Sequence, residues 1–364
     1  MSPTCEPGLH VVIIGAGPAG LAAGVCLQRR KIPYTILERG DAPLCSWRQI
    51  DPDALMVSPT RMTLLPDMTL GNHQSAYSTF RDFTSILERY QRDHDIEVRS
   101  KSEVVDVSRK DDAFEIAYKD GDGNIRKINA THVVNATGIL THRQLPERFS
   151  AHECTVPWKH SLDVRRHHLE AAQRLLVVGK RVSAGEILDR WSELRTGSAR
   201  AWISARSSLF VLQPEFLGID IHFFSWYIER VPAHWFGSSV GGIHEPLLSR
   251  HVSHGLRQGI IRQVGRIMRF EKNIVFTEDG QQLDPDLIVF ATGYSYSTTH
   301  LSELLVYDSN NRPVVRYCES VKASNLFLLG YRFGRTFASP YIRGIARDAA
   351  FIAHTIASRR RDPR

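Results

Sequence analysis

Residues 9–24 read LHVVIIGAGPAGLAAG, an apolar run that breaks into Gly15-x-Gly17-x-x-Gly20 and resumes as an alanine-rich helix. A buried strand over Val11–Ile14 that meets three glycines lets the backbone turn tightly, approach a pyrophosphate and pack a helix close to a sheet. Pro18 stands at the first helical position, where its fixed φ suits the helix and its missing N–H has no intrahelical partner to lose. Ala19 and Gly20 complete the turn whose N–H groups and positive dipole end face phosphate. The stretch predicts a dinucleotide site. It does not read as a signal peptide, because no basic region precedes the run and glycines interrupt it.

Moving outward, a second strand over residues 34–37 ends in Glu38, where an acidic side chain accepts ribose hydroxyls, with Arg39 beside it. Residues 41–77, with Trp47 and Arg48, read as an irregular excursion over the ligand. Residues 81–93 read as an amphipathic helix with Phe83, Ile86, Leu87 and Tyr90 on one face. Short alternating strands follow at 103–107, 114–118 and 125–129, with Asp120-Gly121-Asp122-Gly123 as a turn between the last two. The apolar step before Ala136-Thr137-Gly138 predicts a strand whose small terminal residues let the chain pass close to a nucleotide.

The order strand, glycine turn, helix, strand recurs from Arg174. Residues 175–178 give the strand, Gly179-Lys180-Arg181-Val182-Ser183 the turn, the helix runs to about Leu194, and a strand over 201–204 leads to Arg206. Arg206 stands where a guanidinium would meet a nucleotide 2′-phosphate in a charge-assisted pair. The repeat is partial, because Arg181 replaces the middle glycine. A further strand over 287–290 ends in Ala291-Thr292-Gly293, a second copy of the earlier step; a strand near 325–329 and a helix over about 340–358 close the chain.

A length of 364 residues suits about two domains. Lys and Arg number 46 against 39 Asp and Glu, a net charge of +7, which favours anionic ligands. The basic residues are scattered, so nucleic acid is not expected as a partner, and Arg359-Arg360-Arg361 reads as a solvated tail. No apolar run reaches the roughly 18 residues of a membrane span. Cys5, Cys26, Cys45, Cys154 and Cys318 lie far apart without a C-x-x-C pair, which points to a reducing, cytoplasmic compartment and away from a dithiol–disulfide reductase. No metal is expected, and a homodimer stays open. The aromatics of 220–235 read first as ordinary core, with a substrate pocket or a surface-binding helix as alternatives.

The chain resembles the class B flavin-dependent monooxygenases, the group of flavin-containing and YUCCA-type enzymes. The resemblance rests on GAGPAG at 15–20, LERGD at 37–41, SWR at 46–48, VVNATG at 133–138, HS at 160–161, VVGKRVSAGE at 177–186, ISARSS at 203–208 and LIVFATGY at 287–294. It implies an α/β fold of two Rossmann-like domains, the second inserted into the first: an FAD domain over 1–150, an NAD(P)H-binding-like domain over 151–295, and a return to the FAD domain over 296–364. It also implies that FAD and NADPH are the cofactors. In this family NADPH reduces the flavin, O₂ gives a C4a-(hydro)peroxide, and one oxygen passes to a small or medium apolar substrate with a nitrogen or sulfur atom, or to a 2-oxo acid. The resemblance places Trp47 and Arg48 beside the flavin and the backbone at Val104 and Val105 near the adenine.

Three departures stand out. Arg181 replaces a glycine at the second pyrophosphate, where it either blocks the phosphates or grips them with Lys180. His160 lacks the aromatic and glycine that precede it in the family pattern, and reads as structural. Residues 56–65 hold no asparagine of the kind that heteroatom-oxidising relatives place near the flavin, so no catalytic residue is assigned. The alternative is an FAD-dependent oxidase or dehydrogenase with a degenerate NADPH site, its flavin reduced by the substrate. A third reading keeps flavin as a structural ligand or redox sensor.

Overall fold

The computed structural model describes residues 8–361 apart from 74, 141, 147–148, 150–151, 233–234 and 236–245. The quoted stretch forms β1 (Val11–Ile14) and α1 (Pro18–Gln28), with Gly17 as N-cap and Pro18 opening the helix. Next come β2 (Tyr34–Leu37), the amphipathic α2 (Phe80–Asp93) and an antiparallel meander of β3 (Glu103–Lys110), β4 (Ala113–Lys119) and β5 (Ile125–Ala130). Helix α2 buries Phe83, Ile86, Leu87 and Tyr90, the face its periodicity predicts. Strand β6 (His132–Asn135) runs parallel to β1 and ends at the first Ala-Thr-Gly step.

The chain then enters a second sheet through β7 (Trp158–His160), β8 (Arg174–Val178), α3 (Val182–Leu194) and β9 (Arg200–Ser204). A helix α4 (Ile221–Ile228) lies outside this sheet, which β10 (Ile261–Val264) and β11 (Leu287–Phe290) complete in the all-parallel order β10-β9-β8-β11-β7. Strand β12 (Leu326–Leu328) returns to the first sheet beside β6, giving β2-β1-β6-β12 with two short antiparallel edge strands at Glu319–Ser320 and Val315–Arg316, and α5 (Ile342–Arg361) closes the fold. The parallel strands β1, β6 and β11 are buried throughout and β8 from its second residue on, as sheets covered on both faces require. Where the chain crosses between sheets, Tyr294–Ser295 pairs antiparallel with His142–Arg143.

Two expectations need correction. The arginine tail is not simply solvated: α5 extends to Arg361, and Arg359 binds Glu319 at 2.6 and 2.8 Å and the Asn325 side chain at 2.8 Å. The aromatics after Asp220 are not core. Phe223 is 51% exposed, Tyr227 63% and Trp235 71%, and the one buried residue of α4 is His222. Cys26, Cys45, Cys154 and Cys318 form no disulfide; Cys5 lies outside the described residues.

Candidate functional site

The three glycines of the first turn serve different ends. Gly15 has φ +100°, and a Cβ there would lie 2.8 Å from the Ala136 carbonyl oxygen; a Cβ on Gly20 would lie 1.9 Å from that of Gly15. The polypeptide itself demands both. Gly17 has φ −75° and nothing within 4 Å of its Cβ position. Only a ligand brought close to the α1 N-terminus requires that missing side chain, as a pyrophosphate does.

Glu38 stands at the end of β2, buried, with one carboxylate oxygen accepting from the Ala16 amide and the other from that of Gly40, each at 2.8 Å. Each oxygen keeps a lone pair that a ribose hydroxyl can use. Arg39 beside it is exposed. The Ser102 amide donates to the Glu38 carbonyl at 2.8 Å, which brings the start of β3 alongside; Val105, 45% exposed, sits at the β3 bulge. Trp47 packs on Phe80 and Phe83 with ring centroids 5.6 and 5.8 Å apart, and Arg48 binds Glu88 at 2.8 Å, so both lie against α2.

The second unit repeats this construction. Gly179 has φ +133°, and a Cβ there would lie 2.3 Å from the Ala291 carbonyl oxygen, as Gly15 meets Ala136. Each leading glycine is thus set by the alanine of an Ala-Thr-Gly step. Arg181 caps α3 with φ −111°, a conformation open to any residue, so the lost glycine strains nothing in the chain. The Lys180 ammonium donates to the Ser207 hydroxyl and, at 3.4 Å, to the Ser208 carbonyl. Lys180 and the exposed Arg181 and Arg206, with Ser183 in the first turn of α3, therefore lie at the carboxyl end of β8 and β9, where doubly wound sheets bind ligands.

The two steps themselves are tied to the crossings. Gly138 and Gly293 have φ +69° and +90° with open space at their Cβ positions. The Thr137 hydroxyl donates to the Ser297 carbonyl at 3.4 Å, the Thr292 hydroxyl donates to the Gln144 carbonyl, and the Gln144 amide donates to the Gly293 carbonyl at 2.9 Å. His160 is buried, donates from Nε2 to the Gly293 carbonyl at 3.1 Å and accepts at Nδ1 from the Leu162 amide at 3.4 Å; burial lowers its pKa. It acts as a strut.

The sequence reading missed a buried network under the first step. Asn135 donates to the Tyr331 hydroxyl at 2.6 Å and accepts from His300 Nε2 at 3.2 Å, while Tyr331 stacks on Tyr296 at 4.3 Å. The polar Asn135 ending an apolar strand was the available signal. Also unseen were the bridges between the units, Arg190 to Asp51, Tyr77 to Asp220 and Arg343 to both oxygens of Glu229 at 2.6 Å; Arg343 also binds Ser58 at 2.9 Å within its own unit. A cavity of about 250 Å³ opens between Leu55, Met56 and Tyr77 on one side and Val182 and Glu186 of α3 on the other. Burial pushes the Glu186 carboxyl up to about 7; Arg190 opposes this, and Asp51 and Asp189 add to it. Such a group exchanges a proton near neutral pH.

Residues 12–197 match the family described as pyridine nucleotide-disulphide oxidoreductase. A probable indole-3-pyruvate monooxygenase, YUCCA8 of Arabidopsis thaliana, is 27% identical over 95% of this chain and 88% of its own length. The flavin-containing monooxygenase of Stenotrophomonas maltophilia superposes with a TM-score of 0.78 at 20% identity, covering 96% of this chain and 99% of that one. The bacillithiol disulfide reductase Bdr of Bacillus cereus does so at 0.73 and 19% identity, over 96% and 99%.

Proposed function

This chain belongs to the pyridine nucleotide-disulphide oxidoreductase family and, within it, to the class B flavin-dependent monooxygenases, and we propose that it uses NADPH and FAD to transfer one oxygen atom from O₂ to a small or medium apolar substrate. The substrate class is one bearing a nucleophilic nitrogen or sulfur atom, or a 2-oxo acid. The observation that carries the reading is the duplicated construction in which Gly15 meets Ala136 and Gly179 meets Ala291. Each unit thereby offers a nucleotide a seat at the end of its sheet, the two differing where Gly17 is replaced by Arg181.

In this reading Gly15, Gly17, Pro18, Ala19 and Gly20 admit the FAD pyrophosphate, Glu38 and Arg39 hold the adenosine end, and Thr137 and Gly138 line the close approach. Trp47 and Arg48, packed against α2, and Val105 of β3 support the FAD site. Gly179, Lys180, Arg181, Ser183 and Arg206 bind the NADPH phosphates, with Thr292 and Gly293 as the matching step. The domain boundaries lie at 150/151 and 295/296. Bound flavin supplies the hydride and oxygen chemistry. The chain orients it and offers at Glu186, in the cavity between the units, a carboxyl raised to about 7 that exchanges a proton near neutral pH.

Anaerobic stopped-flow mixing of the purified flavoprotein with NADPH tests this. Flavin bleaching at catalytic speed supports it; a flavin that stays oxidised with NADPH and is reduced by an organic substrate overturns it. That second outcome identifies an oxidase or dehydrogenase, a reading favoured by Arg181 standing where the first unit has Gly17.

A further inference from the structure

Among the described residues, exposed large apolar side chains are densest in segment 210–235, which belongs to neither main sheet. A short hairpin, Glu215–Phe216 paired with Ile219–Asp220, carries Leu217 at its tip, 86% exposed. Leu217 and Gly218 have φ +51° and +75°. Asparagine, aspartate or glycine normally fills such a turn, and a leucine there is strained. Helix α4 follows with Phe223, Phe224 and Tyr227 outward, and Trp235 is 71% exposed.

The charges around this face are one-sided. Asp220 is taken by Tyr77 and His222, Glu229 by Arg343, and Glu215 lies 3.9 Å from Arg250. Arg230 and Arg347 flank Trp226, their guanidinium carbons 4.3 and 4.8 Å from its ring centroid, and neither is among the ion pairs of the described residues. Glu229 and Glu215 thus face arginines and Asp220 accepts from two side chains, while Arg230 and Arg347 remain at the margin outside the ion pairs of the described residues.

We propose that the Leu217 hairpin tip and the outer face of α4 insert into an anionic lipid bilayer surface. Trp, Tyr and Arg at the edge of an apolar protrusion match the headgroup level of a bilayer, with the apolar tips below it. The charge pattern selects this occupant over a second copy of the chain. In a two-fold interface the patch meets itself, and surplus arginines would then face surplus arginines; an anionic leaflet attracts them. The surface is coupled to the site, because the Glu229 carbonyl that ends α4 accepts from the Ala338 amide at 2.9 Å and its carboxylate holds Arg343 of α5. Apolar substrates dissolved in the bilayer would arrive beside the cleft between the units.

Co-sedimentation of the full-length holoprotein with phosphatidylcholine vesicles, with and without phosphatidylglycerol, tests the proposal. The expected result is binding to anionic vesicles that weakens with salt, falls more than about tenfold for Leu217→Ser combined with Phe223→Ser and Phe224→Ser, and falls for Arg230→Glu only on anionic vesicles. Far-ultraviolet circular dichroism and flavin content establish that the variants fold. Failure of the wild-type protein to bind, or equal binding by folded variants, overturns it. So does a dimer in analytical ultracentrifugation that the triple variant dissociates without vesicle binding by the parent, since a second copy then covers the face.

Discussion

Glu38 and Ala16 are joined by a hydrogen bond of 2.8 Å in which the carboxylate accepts the amide that leads into the phosphate turn. The residue assigned to the ribose therefore also shapes the turn assigned to the pyrophosphate. Glu38→Ala should weaken FAD roughly ten- to a hundredfold and cost the apoprotein about 1–3 kcal/mol, since the Ala16 and Gly40 amides lose their acceptor. Fluorescence titration with FAD and urea unfolding of the apoprotein read the two effects separately. Unchanged FAD affinity with reduced stability would leave Glu38 only its structural role.

Gly17 and Gly20 should respond in opposite ways. Gly17→Val meets open space in the protein but fills the approach to the ligand, so it should give a folded, colourless protein. Gly20→Ala drives a Cβ to 1.9 Å from the Gly15 oxygen and should destabilise the apoprotein by more than about 1–3 kcal/mol, the usual range for overpacking. Flavin absorbance and thermal unfolding of both variants check this. A yellow Gly17→Val protein with full flavin content would place the pyrophosphate elsewhere.

Two buried histidines set an acid limit on stability. Burial lowers His300, and burial with Arg359 lowers His132, from 6.5 to about 4 in each case. Above pH 6.5 both are neutral in the folded and unfolded chains, and their contribution is complete. As pH falls from 6.5 towards 4 the unfolded chain binds protons first, so stability is lost across that window, on the order of 3 kcal/mol per histidine. His300→Gln keeps a donor for Asn135 and removes one titration. Urea unfolding at pH 7 and pH 5 should then show a smaller acid loss in the variant; equal losses would mean that His300 is charged in the folded protein.

How much of this was legible depended on whether the information was local. Gly15, Pro18 and Glu38 act through backbone geometry and short-range charge, so strand, turn, helix and acid all appeared in the sequence with their order intact. The same holds for α2, whose buried face follows a 3.6-residue period. The pairing of Asn135 with Tyr331 and His300, and of Arg343 with Glu229, depends on where two sheets bring distant segments, and no spacing encodes it. The aromatics of α4 were misjudged because composition reports hydrophobicity and not whether a neighbouring element covers it. Arg181 could be located but not interpreted, because its meaning lies with the nucleotide and not with the chain.

The last prediction concerns that residue. At the α3 N-cap Arg181 has an unstrained backbone, so Arg181→Gly restores the turn of the first unit without changing the fold. If the guanidinium grips the second pyrophosphate, the substitution weakens NADPH; if it blocks the site, NADPH tightens and flavin reduction accelerates. We expect the first result, because Lys180 and Arg206 meet at the same sheet end around Ser207, a concentration of positive charge that an abandoned phosphate site has no use for. Arg206→Ala should then weaken NADPH about tenfold or more and leave NADH nearly unchanged, since only NADPH carries the 2′-phosphate. Stopped-flow flavin reduction with both nucleotides, for wild type and both variants, decides the matter. Equal losses for NADPH and NADH in Arg206→Ala would remove Arg206 from the 2′-phosphate, and a gain for NADPH in Arg181→Gly would make Arg181 the block.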